Sequence, residues 1–158
     1  MGTEIERKFL LIGDAWRENA RGTLLRQGYI STQPGRTVRV RTANNQGYLT
    51  LKGKTTGITR CEFEYPIPLD DANMLLDQLC EQPILEKIRY LIDYKGFTWE
   101  VDEFLGDNAG LLIAEIELEA EDQSFAKPEW IGEEVSGDRR YFNSSLSRYP
   151  FLRWEKNV

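Results

Sequence analysis

The sequence predicts an α+β fold in which an antiparallel sheet closes into a barrel with its charged side chains turned inward. Three observations carry that expectation. Apolar and charged residues alternate with a period of two in segment after segment, which marks strands with two chemically distinct faces. On those segments nearly every polar-face position is ionisable, and each strand tends to carry one sign of charge. Histidine is absent from the 158 residues, so carboxylates, Lys and Arg supply those charges.

The first strand is "EIERKFLL", with Glu4, Glu6 and Lys8 on one face and Ile5, Arg7 and Phe9 on the other. "GDAWRENAR" reads as a short helical or turn segment that Asp14 can cap. "LLRQGYIS" is a strand, and "QPGR" a turn built on Pro34 and Gly35. "TVRVRTA" and "GYLTLKGK" flank "NNQG", whose Asn and Gly residues suit a hairpin, and the loop "TTGIT" leads into "RCEFEYPIP". "LDDANMLLDQLCEQ" predicts a helix that Asp70 or Asp71 can cap, with Leu69, Leu75, Leu76, Leu79 and Cys80 on an apolar stripe. "LEKIRYLIDY" and "FTWEVDEF" form a hairpin through "KG", and "LLIAEIELEA" is the last strand. The remainder, from Asp122, predicts two or three short helices whose Trp and Phe residues cover the sheet, and "RWEKNV" reads as a fraying end.

Paired across their strands, Arg39 and Arg41 oppose Val38 and Val40, and Lys52 opposes Leu49 and Leu51. Glu62 and Glu64 oppose Phe63 and Tyr65, Lys87 and Arg89 oppose Ile88 and Tyr90, and Glu115 and Glu117 oppose Ile116 and Leu118. One such strand is an ordinary half-solvated strand. The full set is different, because like charges two residues apart on one face repel and solubility alone does not favour them. A closed sheet resolves this: the charged faces line a lumen, and the apolar faces lie under helices and aromatic residues. Ionised groups crowded together are costly unless opposite charges pair or a polyvalent ligand enters with its cations. The ligand this predicts is a polyphosphate with a hard metal ion.

Residues 1–158 read as one domain. With 41% apolar residues and four Trp the chain has the means to build a core. It shows neither a bilayer-length apolar run nor a signal-peptide apolar stretch, so a cytoplasmic protein without a membrane partner is expected. A net charge of −6 disfavours nonspecific binding to nucleic acid. Cys61 and Cys80 fit no metal or redox spacing and read as small buried apolar residues. Without histidine, Ser-His-Asp and Cys-His mechanisms and His-ligated zinc are excluded.

"EIERKF" resembles the ExExK signature of the CYTH superfamily, the triphosphate tunnel metalloenzymes. "RQGY", "VRVR", "LTLKGK", "CEFEYPI", "EKIRY", "WEVDEF", "AEIELE" and "EEVSGDRRYFNSSLS" resemble that family's later blocks, in order, over nearly the whole chain. The likeness is to compact bacterial inorganic tripolyphosphatases. It implies an eight-stranded antiparallel tunnel and metal-dependent cleavage of tripolyphosphate, a small-molecule substrate, to pyrophosphate and phosphate. The same fold serves adenylate cyclases and thiamine and other triphosphatases, and a noncatalytic polyphosphate-binding module is the alternative outside enzymology.

By the same resemblance, Glu4, Glu6, Glu115 and Glu117 gather a metal, and such hard oxygen donors suit Mg²⁺ or Mn²⁺. Glu62, Glu64 and Asp102 are either a second acidic set or the partners that hold basic side chains in place. Lys8, Arg39, Arg41, Lys52, Lys87 and Arg89 form a phosphate cradle. Lys54 has the parity for it but sits near a strand end. Arg139 or Arg140 closes a tunnel mouth. Lys8 is expected to orient or deprotonate the attacking water if neighbouring cations depress its pKa, and Tyr29 is either the general base or a structural aromatic plug. Oligomeric state is left open.

Overall fold

The computed structural model describes residues 2–18 and 20–154, so the last four residues of "RWEKNV" lie outside the described residues. Its strands are β1 (Thr3–Leu11), β2 (Gly22–Gln33), β3 (Arg36–Ala43), β4 (Gln46–Thr56), β5 (Thr59–Ile67), β6 (Leu85–Tyr94), β7 (Phe97–Phe104), β8 (Leu112–Glu117) and β9 (Ile131–Glu134). Two α-helices, α1 (Leu69–Gln78) and α2 (Asn143–Arg148), accompany them. Eight strands form an antiparallel ring in the order β1-β5-β4-β3-β2-β6-β7-β8, with β8 returning to β1. No described helix is long and apolar enough to cross a membrane.

Local chemistry sets the hairpins. Asn44 and Asn45 adopt φ of 50° and 62°, as do Lys95 and Gly96 at 46° and 86°, so each pair makes a left-handed two-residue turn whose twist matches the flanking strands. Pro68 precedes α1, and Asp70 and Asp71 lie in its first turn, where carboxylates complement the helix dipole instead of capping it. Asp14 likewise makes no side-chain cap to the 3₁₀ turn at Ala15–Arg17.

β1 closes the ring along split edges. Glu6–Phe9 pair with β8 on one side, while on the other Thr3–Ile5 pair with β5 and Phe9 and Leu11 pair with β9. β9 was not expected; it is four residues long and pairs with β1 alone, outside the ring.

The apolar faces pack outward under two covers. Phe9, Trp99, Val101, Ala114 and Ile116 bury beneath Trp16, Phe125 and Trp130. Trp99 meets Phe9, Phe125 and Trp130 edge-on at 5.6, 5.7 and 6.0 Å between ring centroids. On the far side, Val40 and Leu49 lie beneath Ala72, Leu76 and Cys80 of α1 and its end. Gly28 permits that approach, because a Cβ there would sit 2.8 Å from the Cys80 Cβ. Cys80 is buried as expected, but Cys61 is exposed, since its side of β5 has no cover.

A third core lies inside the ring. Continuing the charged faces of β1, β6, β7 and β8 by one or two steps gives Leu10, Leu85, Phe104 and Ile113, which pack with Leu111, Val135, Tyr141 and Leu146. This apolar stopper closes one end of the lumen, and α2 forms part of it through Leu146. Asn108 pins the closing segment: its Nδ2 donates to Leu146 O (3.4 Å), and Phe151 N donates to its Oδ1 (2.8 Å).

Next to the stopper lies a buried ion cluster. Asp102 is 0% exposed, accepts from Arg89 Nε and Nη2 at 2.8 and 2.9 Å, and lies 2.8 Å from Lys87 Nζ. It holds the basic side chains and does not line the cavity, so of its two expected roles the supporting one describes its position. Burial would raise its pKa, but Arg89 and Lys87 outweigh burial and hold it below the ordinary 3.8. A depressed carboxylate stabilises the fold above its ordinary pKa, and that stability is lost as pH falls through the lower folded value. Asp102→Asn is therefore expected to cost about 3–5 kcal/mol at neutral pH by leaving buried cations short of charge. Denaturant melts at a series of pH values check this: the gap from the parent protein should narrow below about pH 4.

Candidate functional site

The alternation of β1–β8 directs the ionisable side chains into one cavity of about 270 Å³. Seven basic residues line it (Lys8, Arg39, Arg41, Lys52, Arg60, Lys87, Arg89), as do seven acidic ones (Glu4, Glu6, Glu62, Glu64, Glu100, Glu115, Glu117). Tyr29, Thr37 and the segment Phe142–Ser144 complete the wall. Every expected metal and cradle residue is therefore brought together, along with Glu62 and Glu64 of the further acidic set.

Opposite charges interleave around the wall. Lys52 Nζ lies 3.2 Å from Glu62 and 3.9 Å from Glu4. Arg60 lies 3.6 Å from Glu6, and Lys8 3.5 Å from Glu115. Glu64, at the more exposed rim, meets Arg41 at 3.4 Å and Arg39 at 3.6 Å, and accepts from Thr50 at 3.0 Å. Arg89 also reaches Glu100 at 3.2 Å.

The electrostatics are those of a crowded, half-neutralised site. Burial, with the neighbouring Glu62, pushes Glu4 up to about 9, and burial with Glu115 pushes Glu6 up to about 7. Their partners go the other way: despite burial, Glu4 and Lys52 hold Glu62 down, and Lys8 and Arg89 hold Glu115 down. Burial and the nearby guanidinium groups lower Arg41 to about 10 and Lys52 to about 8. Burial brings Lys87 to about 7 in spite of Asp102.

The two candidate bases keep their protons. Burial disfavours the Lys8 charge, but Glu115 and Glu6 outweigh it, and its pKa is raised. The condition for a basic Lys8, depression by neighbouring cations, is not met because its nearest charged partner is a carboxylate. Burial also raises Tyr29, against the pull of Arg39 and Lys8. Its hydroxyl accepts from Gln27 Nε2 at 3.3 Å, which leaves the phenolic hydrogen free to donate.

Of the buried polar atoms without a hydrogen-bond partner among the described residues, four belong to the cavity wall: Glu4 Oε1 and the Nε–H groups of Arg39, Arg41 and Arg60. Three donors and one hard acceptor in the same cavity call for an anion and a cation together. No three acidic groups among the described residues converge as a ready-made metal shell. The carboxylates instead sit as Glu4 beside Glu62 and Glu6 beside Glu115, with Glu117 exposed at the rim. That arrangement fits an ion that keeps several waters and takes one or two carboxylates plus substrate oxygens, as Mg²⁺ does.

Several placements differ from expectation. Arg139 and Arg140 are both exposed and outside the cavity, because that stretch turns outward and Arg140 is tied to Asp138 at 2.7 Å; Phe142 and Asn143 occupy the wall instead. Lys54 is exposed, since a register shift between Lys52 and Thr55 takes it out of line. Arg60 was missed as a lumen residue although it shares parity with Glu62; Glu100, which shares the charged face of Asp102 opposite Val101, was expected on the lumen side but given no role in the site. Gln27 and Asn143 carry no charge, and no charge pattern could have flagged them.

A family model for the CYTH domain matches residues 2–148. The chain is 55% identical over 156 residues to the inorganic triphosphatase of Acetivibrio thermocellus, covering 99% of this chain and 100% of that protein. It is 38% identical over 151 residues to the inorganic triphosphatase of Nitrosomonas europaea, covering 92% and 97%. Among solved structures, the crystal structure of the inorganic triphosphatase NE1496 aligns with a TM-score of 0.64 at 34% identity, over 90% of this chain and 96% of that one. With the model matched over most of its length and these relatives matched nearly end to end, this chain belongs to the CYTH domain family.

Proposed function

We propose that the whole chain acts as one tunnel domain that hydrolyses inorganic tripolyphosphate to pyrophosphate and phosphate, dependent on Mg²⁺ or Mn²⁺. One observation carries this reading: seven basic and seven acidic side chains share a single small cavity and come close to charge balance, with Glu4 held mostly protonated. Tripolyphosphate brings roughly four to five negative charges at neutral pH, so alone it would leave the cavity strongly negative. Arriving with divalent cations, it preserves the balance. The relatives named inorganic triphosphatase support the same substrate class. The volume, about 270 Å³, lies below the roughly 300–1,000 Å³ of pockets that hold drug-sized ligands, and the wall offers no apolar surface for a nucleobase beyond the Phe142 and Tyr29 rings.

Each residue then has a task. The unpartnered Nε–H groups of Arg39, Arg41 and Arg60 donate to phosphoryl oxygens, and Lys52, Lys87 and Arg89 add charge along the chain. Lys8 and Tyr29 act as hydrogen-bond donors that orient phosphate or water. Glu4, Glu6, Glu115 and Glu117, with Glu62, would hold the metal, which supplies Lewis-acid neutralisation of the phosphoryl oxygens and lowers the pKa of water bound to it. The nucleophile is water, since phosphoryl transfer needs positioning and charge neutralisation more than a covalent intermediate. An exposed free Cys61 suits a reducing cytoplasm.

Incubation of purified protein with Mg²⁺ or Mn²⁺ and tripolyphosphate, ATP or thiamine triphosphate tests the reading. Phosphate and pyrophosphate should form from tripolyphosphate fastest, and a chelator should abolish turnover. Cyclic AMP from ATP would make it a cyclase, and tight binding without turnover a sensor. Arg41→Ala and Arg60→Ala should each lower kcat/KM for tripolyphosphate by about 100-fold, with the sheet intact by circular dichroism. Glu6→Ala should shift the metal concentration needed for half-maximal rate upward; an unchanged metal requirement removes Glu6 from the ligand set.

A further inference from the structure

Asn143 is the first residue of α2 and part of the segment that closes the tunnel against the apolar stopper. Its side chain is fixed by a hydrogen-bond chain. Lys87 Nζ lies 2.7 Å from Asn143 Oδ1 and 2.8 Å from the Asp102 carboxylate. Held against the Asp102 carboxylate, the Lys87 ammonium donates to Asn143, so the atom it meets is the carbonyl oxygen, the same orientation that the Gln27 amide donor requires. Gln27 Nε2 donates to that same oxygen at 3.1 Å, and to the Tyr29 hydroxyl at 3.3 Å. Gln27 is fully buried and does not line the cavity. Both lone-pair directions of the Asn143 oxygen are thereby taken, while its Nδ2–H₂ group has no protein partner among the described residues and the residue borders the cavity.

We infer that Asn143, locked by Lys87 and Gln27, is a substrate-binding residue whose Nδ2–H₂ donates to the terminal phosphoryl group at the closed end of the tunnel. This rests on the proposed tripolyphosphatase function and names the part of the site that ends the substrate. A linear chain of phosphoryl units lying along the lumen stops against α2, where an end group presents three non-bridging oxygens and a mid-chain unit only two. A neutral donor suits this position. Lys87 beside it already supplies charge, and the amide adds direction without a further cation to bury.

The test is Asn143→Asp, which keeps the size and the oxygen toward Lys87 but turns the donor into a second acceptor. Calorimetric affinity for tripolyphosphate, without added metal so that no turnover intervenes, should fall by at least about tenfold, the scale of a lost hydrogen bond to a charged group. In ³¹P spectra of the bound state, one end-group resonance should move while the middle one stays. Affinity within about twofold of the parent, or an unmoved end-group resonance, overturns the inference. Should the Asp variant fail to fold, Asn143→Ala is read by the same two criteria. If the parent binds tripolyphosphate without cleaving it, the proposed hydrolysis falls and the Asn143 comparison still decides this point; if the parent does not bind it, both fall.

Discussion

The structure depends on keeping fixed charges inside a ring of strands without leaving any of them alone. Fourteen ionisable side chains face one cavity, equally divided by sign. A buried ion loses several kcal/mol of hydration even after relaxation, and only close partners recover it. Hence the alternation of contacts around the wall, in which Lys52 lies between Glu4 and Glu62 and Arg89 between Asp102 and Glu100. The recovery is incomplete at Glu4, Arg39, Arg41 and Arg60, where polar atoms stay unmatched, and burial moves the Glu4 and Arg41 pKa values toward the neutral forms. A site held at that intermediate level has more to gain from a charged ligand than a fully paired one.

Stability must then come from elsewhere. A barrel normally buries its apolar side chains inside, whereas this ring turns most of them outward and needs external covers to bury them. Trp16, Phe125 and Trp130 cover one side and α1 the other. The interior adds one apolar layer of its own at the closed end. The lumen therefore grades from ionised at Glu4 and Glu6 to apolar at Leu10 along the first strand alone.

Much of this was legible because a period of two is hard to counterfeit. Lys8, Arg39, Lys87 and Glu115 each stand in a run whose parity assigns them a face, and one-sign runs argue for a shared interior. The limits of legibility have physical causes. Arg60 follows a turn, and its parity becomes evident only when the β5 pattern is extended back from Glu62. Asp102 shares the parity of Glu100, but depth within the lumen, which parity does not encode, makes it a support buried behind Lys87 and Arg89. Leu10, Leu85, Phe104 and Ile113 sit on the charged faces too, so a reading that sorted faces into charged and apolar could not see the stopper. Arg139 stood in a familiar basic stretch, yet a local 3₁₀ turn at Arg139–Tyr141 turns it to solvent. β9 is too short to show a period, and Gln27 and Asn143 act through hydrogen bonds that no hydropathy pattern reports.

The split edge of β1 bears on how the molecule assembles. Its N-terminal strand pairs with β5, β8 and β9, and an Arg7–Glu134 ion pair joins residues 127 positions apart. Although β1 comes before the other strands in sequence, it cannot complete its pairings until β8 and β9, far along the chain, are there to dock against. Such non-local closure carries a loop entropy that hairpins avoid and slows acquisition of the native topology. Until β1 docks, the seven-strand run from β5 through β8 has two open edges, so the anion-binding cavity exists only once the ring is closed.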